Sequence, residues 1–213
     1  MRWIVAGVLV AGGVFLSGVA AQPASAGLVT FDLSNCAEAG LPLNCNNSDS
    51  GHPVLDFLAG GLDLGVSGFV GAQPNNFDLV LAAPDETGLG LFGQPHNEIN
   101  AGDTEVFNFG KLALLGITSG TMTVTSLQSG EVGVLTDLVG THTVTEVDGT
   151  GIGTVPFAFS LAHPEVTLTA DSGDVLAAAD VEVSVPEAAP AVLVATGLAG
   201  LWWLASRRCP WRS

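Results

Sequence analysis

From Leu28 to Val185 the chain breaks into short segments in which apolar and polar residues take turns. Thr121-Met122-Thr123-Val124-Thr125 alternates polar and apolar residues. So do Thr141-His142-Thr143-Val144-Thr145-Glu146-Val147, Glu165-Val166-Thr167-Leu168-Thr169 and Val181-Glu182-Val183-Ser184-Val185. A strand sends successive side chains to opposite faces, so a period of two predicts strands with one face buried. Leu28–Leu33, Leu62–Val70, Phe77–Leu81, Thr104–Phe109 and Pro156–Leu161 are further strand candidates. Asp148-Gly149, following an alternating run, signals a hairpin. Asn44–Gly51 reads as a polar loop, and Gly110–Leu115 as one helical turn or an irregular connection. There is no long helical-period run and no repeat of fixed period. About nine or ten short strands predict an all-β fold, a single jelly-roll-like β-sandwich over residues 27–184.

The two ends follow a different pattern. Arg2 is followed by an uncharged stretch from Ile4 to Ala21, and Ala24-Ser25-Ala26 is a small-residue cleavage site. Residues 1–26 therefore read as a secretory signal peptide cut between Ala26 and Gly27. Ala188 to Ala205 is a second uncharged stretch, 18 residues long. As a helix it reaches roughly 27 Å, a short membrane span. Trp202 and Trp203 stand where an aromatic belt forms, and Arg207, Arg208 and Arg212 follow. The positive-inside rule puts that cluster in the cytoplasm and the body outside.

The order of parts in residues 185–213 resembles a PEP-CTERM sorting signal. Val185-Pro186-Glu187 comes first, then an apolar stretch containing Gly197-Leu198-Ala199-Gly200-Leu201, then Arg207-Arg208. The motif's second proline is replaced by Ala188, with Pro190 two residues later. The resemblance implies an exosortase, a membrane-embedded cysteine protease, as processing partner after signal peptidase. It implies export across the inner membrane of a Gram-negative, exopolysaccharide-producing bacterium and transient anchoring by the tail. The destination would be the cell surface or biofilm matrix. The body is also similar to a recurring ectodomain type of that family. The similarity lies in Asp85-Glu86-Thr87-Gly88-Leu89-Gly90-Leu91, Asn97-Glu98-Ile99, the strand Glu105–Phe109, Val124–Glu131 and Ser172–Leu176. It implies a sandwich and supplies no activity.

Charge sharpens this division. The 213 residues carry a formal −16. Four of the five basic residues lie in the first two or last seven positions, while all 21 acids lie between Asp32 and Glu187. Residues 27–187 thus set 21 carboxyls against Lys111 alone, a formal −20. Such a body excludes nucleic acid as a partner, because phosphate binding needs clustered cations. All four Trp lie in the ends and the chain has no Tyr, so the body lacks the aromatic platforms on which sugars usually stack.

Candidate chemistry is sparse. Asp85-Glu86-x-Gly88-x-Gly90, then Glu98 and Asp103, could place carboxylates and glycine-loop carbonyls around Ca²⁺. Cys36 and Cys45 enclose eight residues, and export favours a disulfide there. Closing so short a loop is worth about 2–3 kcal/mol. His52, His96, His142 and His163 are isolated, and no HExxH, HxH or GxSxG motif occurs. These features predict an exported, non-enzymatic surface or matrix protein associated with exopolysaccharide. A Ca²⁺-dependent carbohydrate-binding module is the alternative, and a glycoside hydrolase a distant second.

Overall fold

The computed structural model describes residues 27–41, 50–81, 87–94, 96, 98–171 and 175–186. They form β1 (Gly27–Asp32), β2 (Val54–Ala59), β3 (Leu62–Val70), β4 (Gln73–Asn75), β5 (Phe77–Leu81), β6 (Thr87–Leu91), β7 (Ile99–Asn100) and β8 (Asp103–Asn108). A single helical turn, α1 (Gly110–Ala113), follows. Then come β9 (Ser119–Thr125), β10 (Gly133–Thr136), β11 (Thr141–Val144), β12 (Gly153–Ala158), β13 (Glu165–Ala170) and β14 (Val175–Val185). The fold is all-β, in two antiparallel sheets. The first runs β12-β9-β14-β6-β5, with β1 and β7 also paired to β14; the second runs β11-β10-β13-β8-β3-β2, with β4 on β3.

The alternating segments supply the core as their period requires. Met122 and Val124 on β9, and Val181 and Val183 on β14, face inward from the first sheet. Leu64 and Val66 on β3, Phe107 on β8, and Val166 and Leu168 on β13 meet them from the second. Phe109 stacks on Phe159 at 4.5 Å and lies 4.9 Å from Phe157. Each such ring or branched side chain taken fully out of water contributes about 1.5–3 kcal/mol before its ordering cost.

Several expected elements change character. Asp148 and Gly149 both take positive φ, as a tight turn demands, but β11 and β12 belong to different sheets. The turn is therefore a cross-sheet connection and not a hairpin. Gly110–Leu115 resolves into the helical turn α1 and its exit. Thr87–Leu91 is a buried strand. A Cβ at Gly88 would stand 2.7 Å from the Ala178 carbonyl oxygen, so glycine there permits close strand packing. Pro156, which lacks an N–H, sits on the edge strand β12. Cys36 is disulfide-bonded; Cys45 lies outside the described residues, as do residues 1–26, Glu187, Arg207 and Arg208. Among the described residues no helix is long and apolar enough to cross a membrane.

Strand register defines two ends. At one, Thr125 of β9, Ala170 of β13, Gly133 of β10 and Asp103 of β8 bring together the connections β7–β8, β9–β10, β11–β12 and β13–β14. At the other, Asn108, Glu165 and Gly65 are neighbours, and the β2–β3 turn, α1, and the β10–β11 and β12–β13 connections gather. Gly27 pairs with Val185 at this second end.

The β10–β11 turn is held by Asp137, whose side chain is buried. Its carboxylate accepts from Val139 N–H (2.7 Å), Gly140 N–H (3.0 Å) and Ala158 N–H (2.7 Å), and lies 3.2 Å from His142 Nε2. Burial pushes this carboxyl up, but the three backbone donors and the His142 ring outweigh it and hold the group below the usual carboxylate range. Asp137→Ala strands three amides and is expected to cost about 2 kcal/mol, roughly 4–8 °C in thermal melting. A depressed folded pKa gives stability that is present above about pH 4 and lost as pH falls through the folded value. The gap between wild type and variant should therefore narrow in acid melts. A gap constant down to pH 2 would refute the assignment.

Candidate functional site

Among the described residues, candidate residues from the sequence meet at the first end. Glu98, just ahead of β7, is buried and accepts a hydrogen bond from the Ser126 hydroxyl. Ser126 follows β9 and adopts φ +63°, a left-handed conformation uncommon for a residue with a side chain. The bond to Glu98 links that strained corner to the β7 segment. Leu127 N–H then donates to Gly151 C=O at 3.0 Å, tying the β9–β10 connection to the β11–β12 connection. Asp171 N–H reaches Val132 C=O at 2.9 Å and draws in the end of β13.

Between these connections lies an open cleft of about 380 Å³. Ser126, Gln128, Ser129 and Glu146 line it with backbone from Gly149 and Gly151. Glu131 accepts from Gln128 N–H at 2.6 Å and closes the tight turn beneath it. Hydroxyl, amide and carboxylate groups converge here without a large aromatic face. This chemistry suits hydrogen bonding to a hydroxylated ligand.

Of the four residues proposed for a metal, the structure connects two. Asn100 bridges them: its N–H donates to Asp103 Oδ2 at 3.2 Å, and its side-chain amide donates to Glu98 C=O at 3.0 Å. Burial pushes the Asp103 carboxyl up, against the lowering effect of the Asn100 donors. Asp85 and Glu86 lie outside the described residues. Gly88 and Gly90, expected as a flexible carbonyl loop, belong to β6. Among the described residues no group of three or more His, Cys, Asp or Glu is placed to hold a metal ion. His142 is spent on Asp137.

Two carboxyl environments were not singled out in the sequence. Asp180 on β14 pairs with Asp32 on β1. Burial first, then the charges of Asp32, Glu182 and Glu38, push its carboxyl up. Glu105 is more extreme. It points into the core from β8, with Gly68 and Leu168 as its register partners. It is fully buried, and neither oxygen has a hydrogen-bond partner among the described residues. Burial alone pushes its pKa well above the usual carboxylate value. Parity was the available signal: Glu105 shares it with Phe107 and Phe109, which both face the core.

Glu105 has a testable consequence for stability. In the unfolded chain it titrates near 4.3. Below that pH both states are protonated and burial carries no ionisation cost. As pH rises towards the elevated folded value, the unfolded state alone ionises and stability is lost. Glu105→Gln removes this loss. The variant should melt higher than wild type at pH 7.5, with the difference shrinking at pH 4. Parallel melting curves across that range would show that Glu105 is not a buried neutral acid.

Comparison with protein-family models, with curated proteins and with solved structures finds no match for this chain.

Proposed function

We propose that the chain is an exported, non-enzymatic surface or matrix protein of PEP-CTERM type. Signal peptidase and an exosortase would process its ends, and exopolysaccharide would surround its body. The observation that carries this reading is the register of β1 on β14. β1 begins at Gly27, the residue after the expected signal-peptide cut, and Gly27 pairs with Val185, the first residue of the sorting motif. Both expected cut points thus flank one strand pair. Cleaving there would release the ends while leaving the two-sheet body intact.

We infer the body to be a jelly-roll-like β-sandwich. What supports this is the interleaving of β6-β14-β9-β12 in one sheet with β8-β13-β10-β11 in the other. From β8 onward the chain changes sheets at every step except the β10–β11 hairpin. This is the winding of two Greek keys. The non-enzymatic part of the reading rests on the described hydrogen bonds, which engage Glu98, Asp103 and Asp137 in local structure.

The polar cleft favours a second reading, a Ca²⁺-dependent carbohydrate-binding module using the loop end. Its test is binding of the purified protein to the producing cell's exopolysaccharide with and without EGTA. Chelator-sensitive binding, lost in Gln128→Ala and Glu146→Ala, would favour it. A melting temperature unmoved by millimolar Ca²⁺ would count against a Ca²⁺ site, since a ligand specific to the folded state must stabilise it.

Processing has its own readout. The body has neither Trp nor Tyr. Material collected from the cell surface should lack tryptophan emission and show an intact mass beginning at Gly27 and ending near Pro186. Surface material that retains tryptophan fluorescence and the mass of residues 188–213 would refute removal of the tail.

A further inference from the structure

The end opposite the polar cleft is apolar. Among the described residues, most of the ten exposed large apolar side chains stand there. Leu114 (71% exposed) and Leu115 leave α1, Leu138 and Val139 (74%) form the β10–β11 turn, Leu161 (60%) lies in the β12–β13 connection, and Leu28 follows Gly27 on β1. Strand register brings these connections together although they are distant in sequence. Single exposed leucines are ordinary on protein surfaces, whereas several gathered at one end mark an interaction surface.

The cleft end carries Glu131, Glu146, Asp148 and Asp171 on its connections. At the apolar end Asp137 is sequestered by backbone donors, and Asp63 is paired with Lys111 at 2.5 Å. Asp56, the register partner of Gly65, and Glu165 are exposed acids that remain there. Lys111, the one cation of the body, stands beside Leu112–Leu115. Exposed leucine and valine with a lysine at their rim suit a lipid headgroup region.

Chain length selects the occupant. Val185 ends β14 at this same end, and the 18-residue uncharged stretch starts at Ala188. Three residues of fully extended chain span at most about 10 Å. With the tail inserted, the apolar end is held against the headgroup layer, which is itself about 5–8 Å thick on each side. We infer that this end, through Leu114, Leu115, Val139 and Leu161, docks on the phospholipid surface while the tail is in place, and so points the polar cleft away from the membrane. This rests on reading Ala188–Ala205 as a membrane span.

The test uses the full chain reconstituted in phosphatidylethanolamine–phosphatidylglycerol vesicles containing a trace of phospholipid with a photoactivatable diazirine near its headgroup. After irradiation, lipid adducts are mapped by peptide mass. Adducts are expected on the tail and on peptides holding Leu114–Leu115, Val139 and Leu161, and none on Gln128–Glu131 or Glu146–Gly149. The combined variant L114S, L115S, V139S and L161S, all at exposed positions, should lose body adducts about ten-fold while keeping tail adducts. Tail adducts alone would overturn the docking and leave the tail reading standing. Body adducts without tail adducts would support docking and overturn the tail as a span. A dimer of the full chain in the same vesicles, lost in the combined variant and unaccompanied by body adducts, would overturn it in favour of a second copy of the chain.

Discussion

β14 hydrogen-bonds to β9 over most of its length, to β1 along its later half and to β6 and β7 near its start, and the first sheet exists only if these neighbours can come close. Ala177, Ala178 and Ala179 are all buried, which a regular alternating strand with one wet face would not allow. The register shifts between Ala178 and Asp180, and this irregularity returns Val181 and Val183 to the core side. Neighbouring strands meet β14 with glycine where contact is tightest. A Cβ would come within 2.7 Å of the Ala178 carbonyl oxygen at Gly88 and 2.5 Å of the Glu182 carbonyl oxygen at Gly120. Small residues on both partners therefore decide which strands join here. Because β14 runs on to Val185 in register with Gly27, the same constraint fixes where β1 begins on β14.

A body with 21 acids and one lysine cannot neutralise its carboxyls by ion pairs. It uses other means, and they differ in strength. Lys111–Asp63 is a surface pair, of a kind that contributes little in water. Asp137 remains ionised because three backbone amides and a ring nitrogen solvate it in place of water. Glu105 has no such donors among the described residues, so its burial is tolerable only with a proton bound. Asp180 lies between these extremes, raised by burial and then by Asp32, Glu182 and Glu38. The carboxyls are thus sorted by what surrounds them, not by a counter-charge.

This sorting explains what the sequence could disclose. Segments with one wet face, such as Thr121–Thr125 and Glu165–Thr169, are legible because period two and half-burial are one fact seen twice. Thr87–Leu91 and Ala177–Ala179 are buried without alternation, so no period of two marks them in the sequence. Gly133–Thr136 is too short for any period to show, and in Val54–Ala59 the adjacent pairs Val54-Leu55 and Phe57-Leu58 blur the parity. Glu98 was legible as a candidate, but its partner Ser126 is 28 residues away and joined to it by topology alone. Asp148-Gly149 shows the converse limit. Its local conformation was readable, but whether the next strand pairs back or crosses to the facing sheet is decided by the whole fold.

The two ends of the body are built by different physics, and that difference bears on what each can do. At the cleft end, connections between sheets are pinned to one another by Ser126–Glu98, Leu127–Gly151 and Val132–Asp171, so polar groups from separate loops hold fixed relative positions. Fixed donors and acceptors are what selective binding requires, since a mobile set would lose its advantage to ordering entropy. At the opposite end the turns present leucine and valine with few directed polar groups, which suits a broad, non-directional contact. Under the proposed export route the membrane provides such a contact early, and once the tail is removed that end is free. Recognition would then fall to the polar end. There, lacking Trp and Tyr, the body would rely on hydrogen bonds from Gln128, Ser129 and Glu146.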